Sequence, residues 1–128
     1  MHFGAFTPDA ISTSDAKPVA VISFFLKSLP LQFQSYAPLG PTAVFRKFAT
    51  DTEMQGRGIG SQLFVQACEE VNRIWGVSYI WCDARVASKE WYAKRGLGEI
   101  GTERFFKAHI PYLRMGMAVA AANLEAGS

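Results

Sequence analysis

Three glycines at alternate positions, Gly56, Gly58 and Gly60, lead directly into an apolar stripe of helical period, and this pair of features constrains the chain most. The run Gln55-Gly56-Arg57-Gly58-Ile59-Gly60 lets the backbone turn sharply and approach a ligand closely, where a Cβ would clash. Ser61 to Trp75 reads as one helix. Ile59, Leu63, Ala67, Val71 and Ile74 recur at steps of four and three, Phe64, Cys68 and Trp75 widen the stripe, and most of the polar residues lie off it. Gly76 follows as a left-handed stop. The glycines therefore sit where the helix's first N–H groups point outward. Free donors and the positive dipole end coincide there, which makes an anion site suited to a pyrophosphate.

Around this unit the chain alternates strands and loops. His2 to Phe6 is short and strand-like, Thr7 to Pro18 is a loop, and Val19 to Leu26 has the unbroken apolar character of a strand buried on both faces. Leu29 to Pro41 holds three prolines and a glycine, so it is expected to be an irregular crossing or flap. Thr42 to Ala49 is a strand, Thr50 to Met54 a polar loop, and Val77 to Asp83 a second central strand. Val86 to Arg95 is a short helix closed by Gly96, Gly98 to Gly101 begins another strand, Glu103 to Ile110 is ambiguous, and Pro111 to Val119 is the last strand. The first three strands are expected to be antiparallel, and Thr42 to Asp83 a right-handed crossover between parallel neighbours. The fold class is α/β or α+β: a mixed, mostly antiparallel sheet with a parallel pair and two main helices. One domain spans residues 1–119, and the alanine-rich 120–128 is expected to fray.

A net charge of +2 with scattered Lys and Arg does not point to nucleic acid. No run reaches a membrane span, and no leader signal opens the chain, so a cytoplasmic location is expected. Cys68 and Cys82 lie inside apolar runs without metal-ligand spacing, and read as buried free thiols with no metal site.

Spacing separates three glycine-loop chemistries. A nucleotide P-loop needs a lysine after its last glycine, but Ser61 follows Gly60. A dinucleotide fingerprint needs Gly-x-Gly-x-x-Gly directly after a strand, and this loop has neither that spacing nor that position. The pattern Gln/Arg-x-x-Gly-x-Gly/Ala fits Gln55, Gly58 and Gly60 at each defined position. Here the chain resembles the GNAT N-acetyltransferase family, over about Val44 to Ile100. Arg46 to Asp51 is similar to the family's central strand running into its loop, Gln55 to Ser61 to its pyrophosphate loop, and Trp91-Tyr92-Ala93-Lys94-Arg95-Gly96-Leu97 to the end of its second conserved helix.

The resemblance implies acetyl-CoA as cosubstrate and an unidentified amine as acceptor, joined by direct attack on the thioester. The amides of Arg57, Gly58, Ile59, Gly60 and Ser61 would face the pyrophosphate, with Arg57 as an added cation, and Gln55 and Gly56 belong to the same cofactor-binding loop. Backbone groups of Phe48, Ala49 and Thr50 would pair with the pantetheine arm between splayed strands, and Arg85 stands where many members carry an Asn touching that arm. Tyr92 matches the general acid for the leaving thiolate, as against a purely packing aromatic. No residue is assigned as base: the strand carries Arg46 and Lys47 but no acid, Asp51 and Glu53 read as loop charges, and Asp83 either faces the cleft or caps the next helix. His2 and His109 read as structural.

Leu97 replaces the family's usual Phe. The chain also begins after the position of the family's first strand and two helices. From this an acceptor side remodelled by Leu29 to Pro41, or completed by a partner chain, is expected, together with a homodimer through uncovered apolar surface. The other functional class is a module that binds acyl-CoA or a partner without turnover.

Overall fold

The structure is a computed structural model describing residues 1–6, 18–37, 40–50, 56 and 58–119. Gln55, Arg57, the loop charges Asp51 and Glu53, most of the 7–18 loop and the 120–128 tail lie outside the described residues.

Seven strands form one sheet: β1 (His2–Ala5), β2 (Ala20–Leu26), β3 (Thr42–Thr50), β4 (Tyr79–Arg85), β5 (Gly98–Glu99), β6 (Phe105–Lys107) and β7 (Ile110–Ala118). Their order is β1-β2-β3-β4-β7-β5, with β6 also paired to β7. β3 and β4 are the parallel pair, joined by α1 (Ile59–Trp75), and the other pairings are antiparallel. The mixed sheet and its crossover helix agree with the alternation read from the sequence. The segment after β4 is a 3₁₀ turn (Val86–Ser88) running into a short α2 (Lys89–Ala93), so the second helix is shorter than its pattern implied.

α1 ends at Gly76, whose φ of 67° takes the left-handed stop without a Cβ penalty. Its buried face is Leu63, Phe64, Ala67, Cys68 and Val71. Ile74 does not join it and is 52% exposed, because the true stripe rotates off that position by the last turn. This face packs on Ile22, Phe24, Phe45, Ile80, Cys82 and Met115 to make the main core.

The opposite face carries a smaller core of Val44, Tyr79, Trp81 and Ile100, covered by Leu29 and partly by Phe33. Phe33 belongs to a 3₁₀ helix over Leu31–Tyr36, a regular element in the stretch expected to have none. The prolines border it instead of interrupting it: Phe33 N–H donates to Pro30 O at 2.8 Å. Gly101, at φ 71°, lets the Phe33 ring come close, since a Cβ there would lie 2.8 Å from it. This cover stops short of β2, so Phe25, which pairs with Val44 on this face, is 37% exposed; Leu26, on the main-core face with Phe24, is 56% exposed, and β2 is not buried on both faces. Its apolar run reads as a two-sided strand only if both faces are covered along the whole length.

No helix among the described residues is long and apolar enough to cross a membrane, and no group of His, Cys, Asp and Glu among them could hold a metal ion.

Candidate active site

Sheet pairing creates the site. Thr42, Ala43 and Val44 of β3 pair with Tyr79, Ile80 and Trp81 of β4, and there the ladder ends. Beyond it, β3 remains paired to β2 from Phe45 to Thr50, while β4 remains paired to β7 out to Arg85. The two strands therefore part at their C-terminal ends. A bulge accentuates the parting: Ser23 opposes Arg46 and Val21 opposes Ala49, leaving one extra residue on β3, and Lys47 in that stretch has φ 57°. Such a gap beyond the carboxyl ends of parallel strands is where open α/β sheets place ligands.

A cleft of about 970 Å³ occupies the gap and runs to the start of α1. Gly58 is the N-cap residue of α1, with φ 76°, and Gly56 has φ 84°. A Cβ on either would meet nothing within 4 Å, so these two glycines serve backbone conformation and open space. Gly60 differs, because a Cβ there would lie 2.9 Å from Thr50 Oγ1; it lets the helix start sit against the end of β3. No side chain caps α1 among the described residues and no acid stands in its first turn. Its leading amides, with the dipole's positive end, are thus left for an anion.

Arg95 brings a cation to this end. Its Nε donates to Ser61 Oγ at 3.0 Å, its Nη1 donates to Trp91 O at 3.0 Å, and its guanidinium carbon lies 3.8 Å from the Trp91 ring centroid. The sequence reading missed this residue. It fills a variable position of the motif around Tyr92, and nothing in the spacing links it to Ser61, 34 residues away.

Tyr92 also lines the cleft, packed against Phe45 at 5.8 Å, Phe48 at 6.5 Å and Trp91 at 5.2 Å between centroids. Burial, with a smaller contribution from Cys82, pushes its phenol well above the ordinary value of 10.0. The side chain is therefore a protonated donor throughout the neutral range. Phe48 packs its ring into the same aromatic cluster, and Ala49, Thr50, Ile59, Ser61 and Arg85 also line the cleft. Every anticipated site residue within the described set is thus gathered around one opening.

Asp83 neither caps the following turn, whose N-cap is Arg85, nor stands alone. It lines the gap and pairs with Lys107 at 3.0 Å and with Arg114 at 3.4 Å. His2 Nδ1 is 2.7 Å from Ser23 Oγ, and His109 lies at the β6–β7 turn with φ 67°; neither lines the cleft. Cys68 and Cys82 are free and buried, and burial pushes both thiols up.

A gap between parallel strands lined by an uncapped glycine helix start and a half-buried phenol defines an acyl-transferase type of architecture. The family comparison is specific: the model of the acetyltransferase (GNAT) domain matches residues 32–119, and the chain belongs to that family. An acyl-CoA N-acyltransferase from Pseudomonas aeruginosa superposes with a TM-score of 0.61 at 19% identity, over 81% of this chain and 63% of that one. The NatC complex bound to Gag peptide and CoA gives 0.69 at 13% identity, over 91% and 70%. FeeM, an N-acyl amino acid synthase from uncultured soil microbes, gives 0.68 at 15% identity, over 97% and 75%. At these identities the likeness concerns the fold, and the chain spans less than two thirds of the length of the Pseudomonas structure. No curated protein sequence matches the chain.

Proposed function

We propose that this chain is an acetyl-CoA-dependent N-acetyltransferase that moves an acetyl group to a primary amine by direct attack. One observation carries the proposal: the uncapped start of α1 and the half-buried, protonated Tyr92 line a single cleft opened by the parting of β3 and β4. Bound acetyl-CoA would supply the activated thioester. The first-turn amides of α1 would hold its pyrophosphate, Arg95 would add a cation beside Ser61, and the backbone of β3 around Phe48 to Thr50, which lines the cleft, would hold the pantetheine arm. Gln55 and Arg57 keep the roles the family resemblance implies. The neutral amine nitrogen attacks the carbonyl carbon, the C–N bond forms, the C–S bond breaks, the Tyr92 phenol protonates the leaving thiolate, and the amine's proton passes to solvent.

Titration calorimetry with acetyl-CoA, followed by a free-thiol release assay with a panel of amines, tests this. Binding with thiol release is the expected result, and failure to bind removes the proposal. A homodimer belongs to the same reading, supported by the exposed Phe25 and Leu26 near the sheet edge. Light scattering at micromolar concentration checks it, and a clean monomer removes it.

A further inference from the structure

Resting on that reading of the donor site, we infer that the acceptor is a small primary amine bearing an anionic group, carboxylate or phosphate, held in a second cavity across the gap. This cavity measures about 240 Å³, the size of a small head group. Phe45, Arg46, Lys47, Asp83 and Tyr112 line both it and the main cleft, so the two spaces meet at the gap between β3 and β4. It opens toward the face of the smaller core: Arg46 lies 5.7 Å from the exposed Phe25 ring, and Arg114, paired to Asp83, lies 5.6 Å from Trp81. The coenzyme would enter along α1 and an acceptor from this second side.

The charge of the cavity selects the acceptor. Its described lining holds the cations Arg46, Lys47 and Lys107 against the single carboxylate of Asp83. That carboxylate is already engaged, with Lys107 Nζ at 3.0 Å and Arg114 Nε at 3.4 Å. Arg46 and Lys47 are exposed and take part in none of the ion pairs among the described residues. The bulge contributes here, since the extra residue on β3 places two successive cations at the gap. Excess positive charge at the rim attracts an anionic acceptor and repels a polycation, which is selection by attraction and by repulsion together.

The test pairs acceptors with and without the anionic group, compared at equal concentrations of the neutral amine: amino acids against their methyl esters, and phosphoethanolamine against ethanolamine, with spermidine as a polycation. Free-thiol release gives kcat/KM, and calorimetry on the same preparation gives coenzyme A affinity. The anionic member should be preferred by about tenfold or more, and whichever pair shows the preference separates carboxylate from phosphate. In the Arg46→Met, Lys47→Met double variant the ratio within each pair should collapse through KM; any change in coenzyme A affinity is common to both members of a pair and leaves that ratio untouched. Equal rates within each pair, transfer to spermidine alone, no transfer to any acceptor in protein that binds coenzyme A, or a preference untouched by the double variant overturns the acceptor class and leaves the donor site standing. Failure to bind coenzyme A overturns both.

Discussion

Replacing Gly58 with valine tests the anion loop, and replacing Gly76 with valine supplies the control on the same helix. Both glycines flank α1, both are left-handed, with φ of 76° and 67°, and a Cβ on either meets nothing within 4 Å. Neither added Cβ meets an atom, so the expected destabilisation comes chiefly from backbone strain, about 1–3 kcal/mol in each case. A domain with an ordinary margin of about 5–15 kcal/mol survives either change. The two differ in what the new side chain faces. At Gly58 it enters the cleft beside the first-turn amides, and losing one charge-assisted hydrogen bond to a pyrophosphate costs about 1.5–3 kcal/mol. That corresponds to about ten- to a hundredfold in coenzyme A affinity. At Gly76, at the far end of the helix, affinity should stay at the parent value. Urea unfolding measures the strain and titration calorimetry the affinity. Equal coenzyme A affinities in the two variants would refute the assignment of the loop, whatever their stabilities.

Further outcomes follow from the same geometry. Tyr92→Phe should lower kcat by about 10²–10⁴-fold while leaving coenzyme A binding nearly intact, and an unchanged rate removes the phenol from the mechanism. Gly116→Ala places a Cβ 2.6 Å from the Tyr79 hydroxyl and 2.9 Å from Ile100 Cδ1, so thermal unfolding should show a loss of about 1–3 kcal/mol. Stability should also fall at alkaline pH. Cys68, Cys82 and Tyr92 are all raised by burial above their ordinary values of 9.0, 9.0 and 10.0. Their neutral forms are favoured by the folded state, so this contribution is complete below the ordinary values and is lost as pH climbs past 9.0. A urea midpoint that holds constant from neutrality into that range, with no decline, contradicts the burial of these groups.

The elements of the proposed donor half were legible in the sequence because local rules write them. Glycines at the turn, a helical stripe and the Gly76 stop are dictated by backbone sterics and burial period over a few residues each, and Tyr92 belongs to a compact motif. Errors arose where neighbours distant in sequence decide. Ile74 carries the right period but falls on the exposed side of the turn, and β2 is apolar although Phe25 is covered in part by His2 and Arg46 and Leu26 is 56% exposed. The prolines near Leu31–Tyr36 conceal a 3₁₀ helix that exists because Phe33 finds a glycine at position 101 to pack against.

Arg95 on Ser61, the end of the β3–β4 ladder after Val44 and Trp81, and the cations gathered around Asp83 depend on strand register and on which strand keeps which partner. Those are long-range pairings with no periodic signal along the chain. The sequence by itself determined the loop, its helix and the phenol, since each follows from short-range sterics and period. The tertiary structure alone decided the cleft, because a gap exists only where two strands that begin as neighbours are drawn apart by different partners.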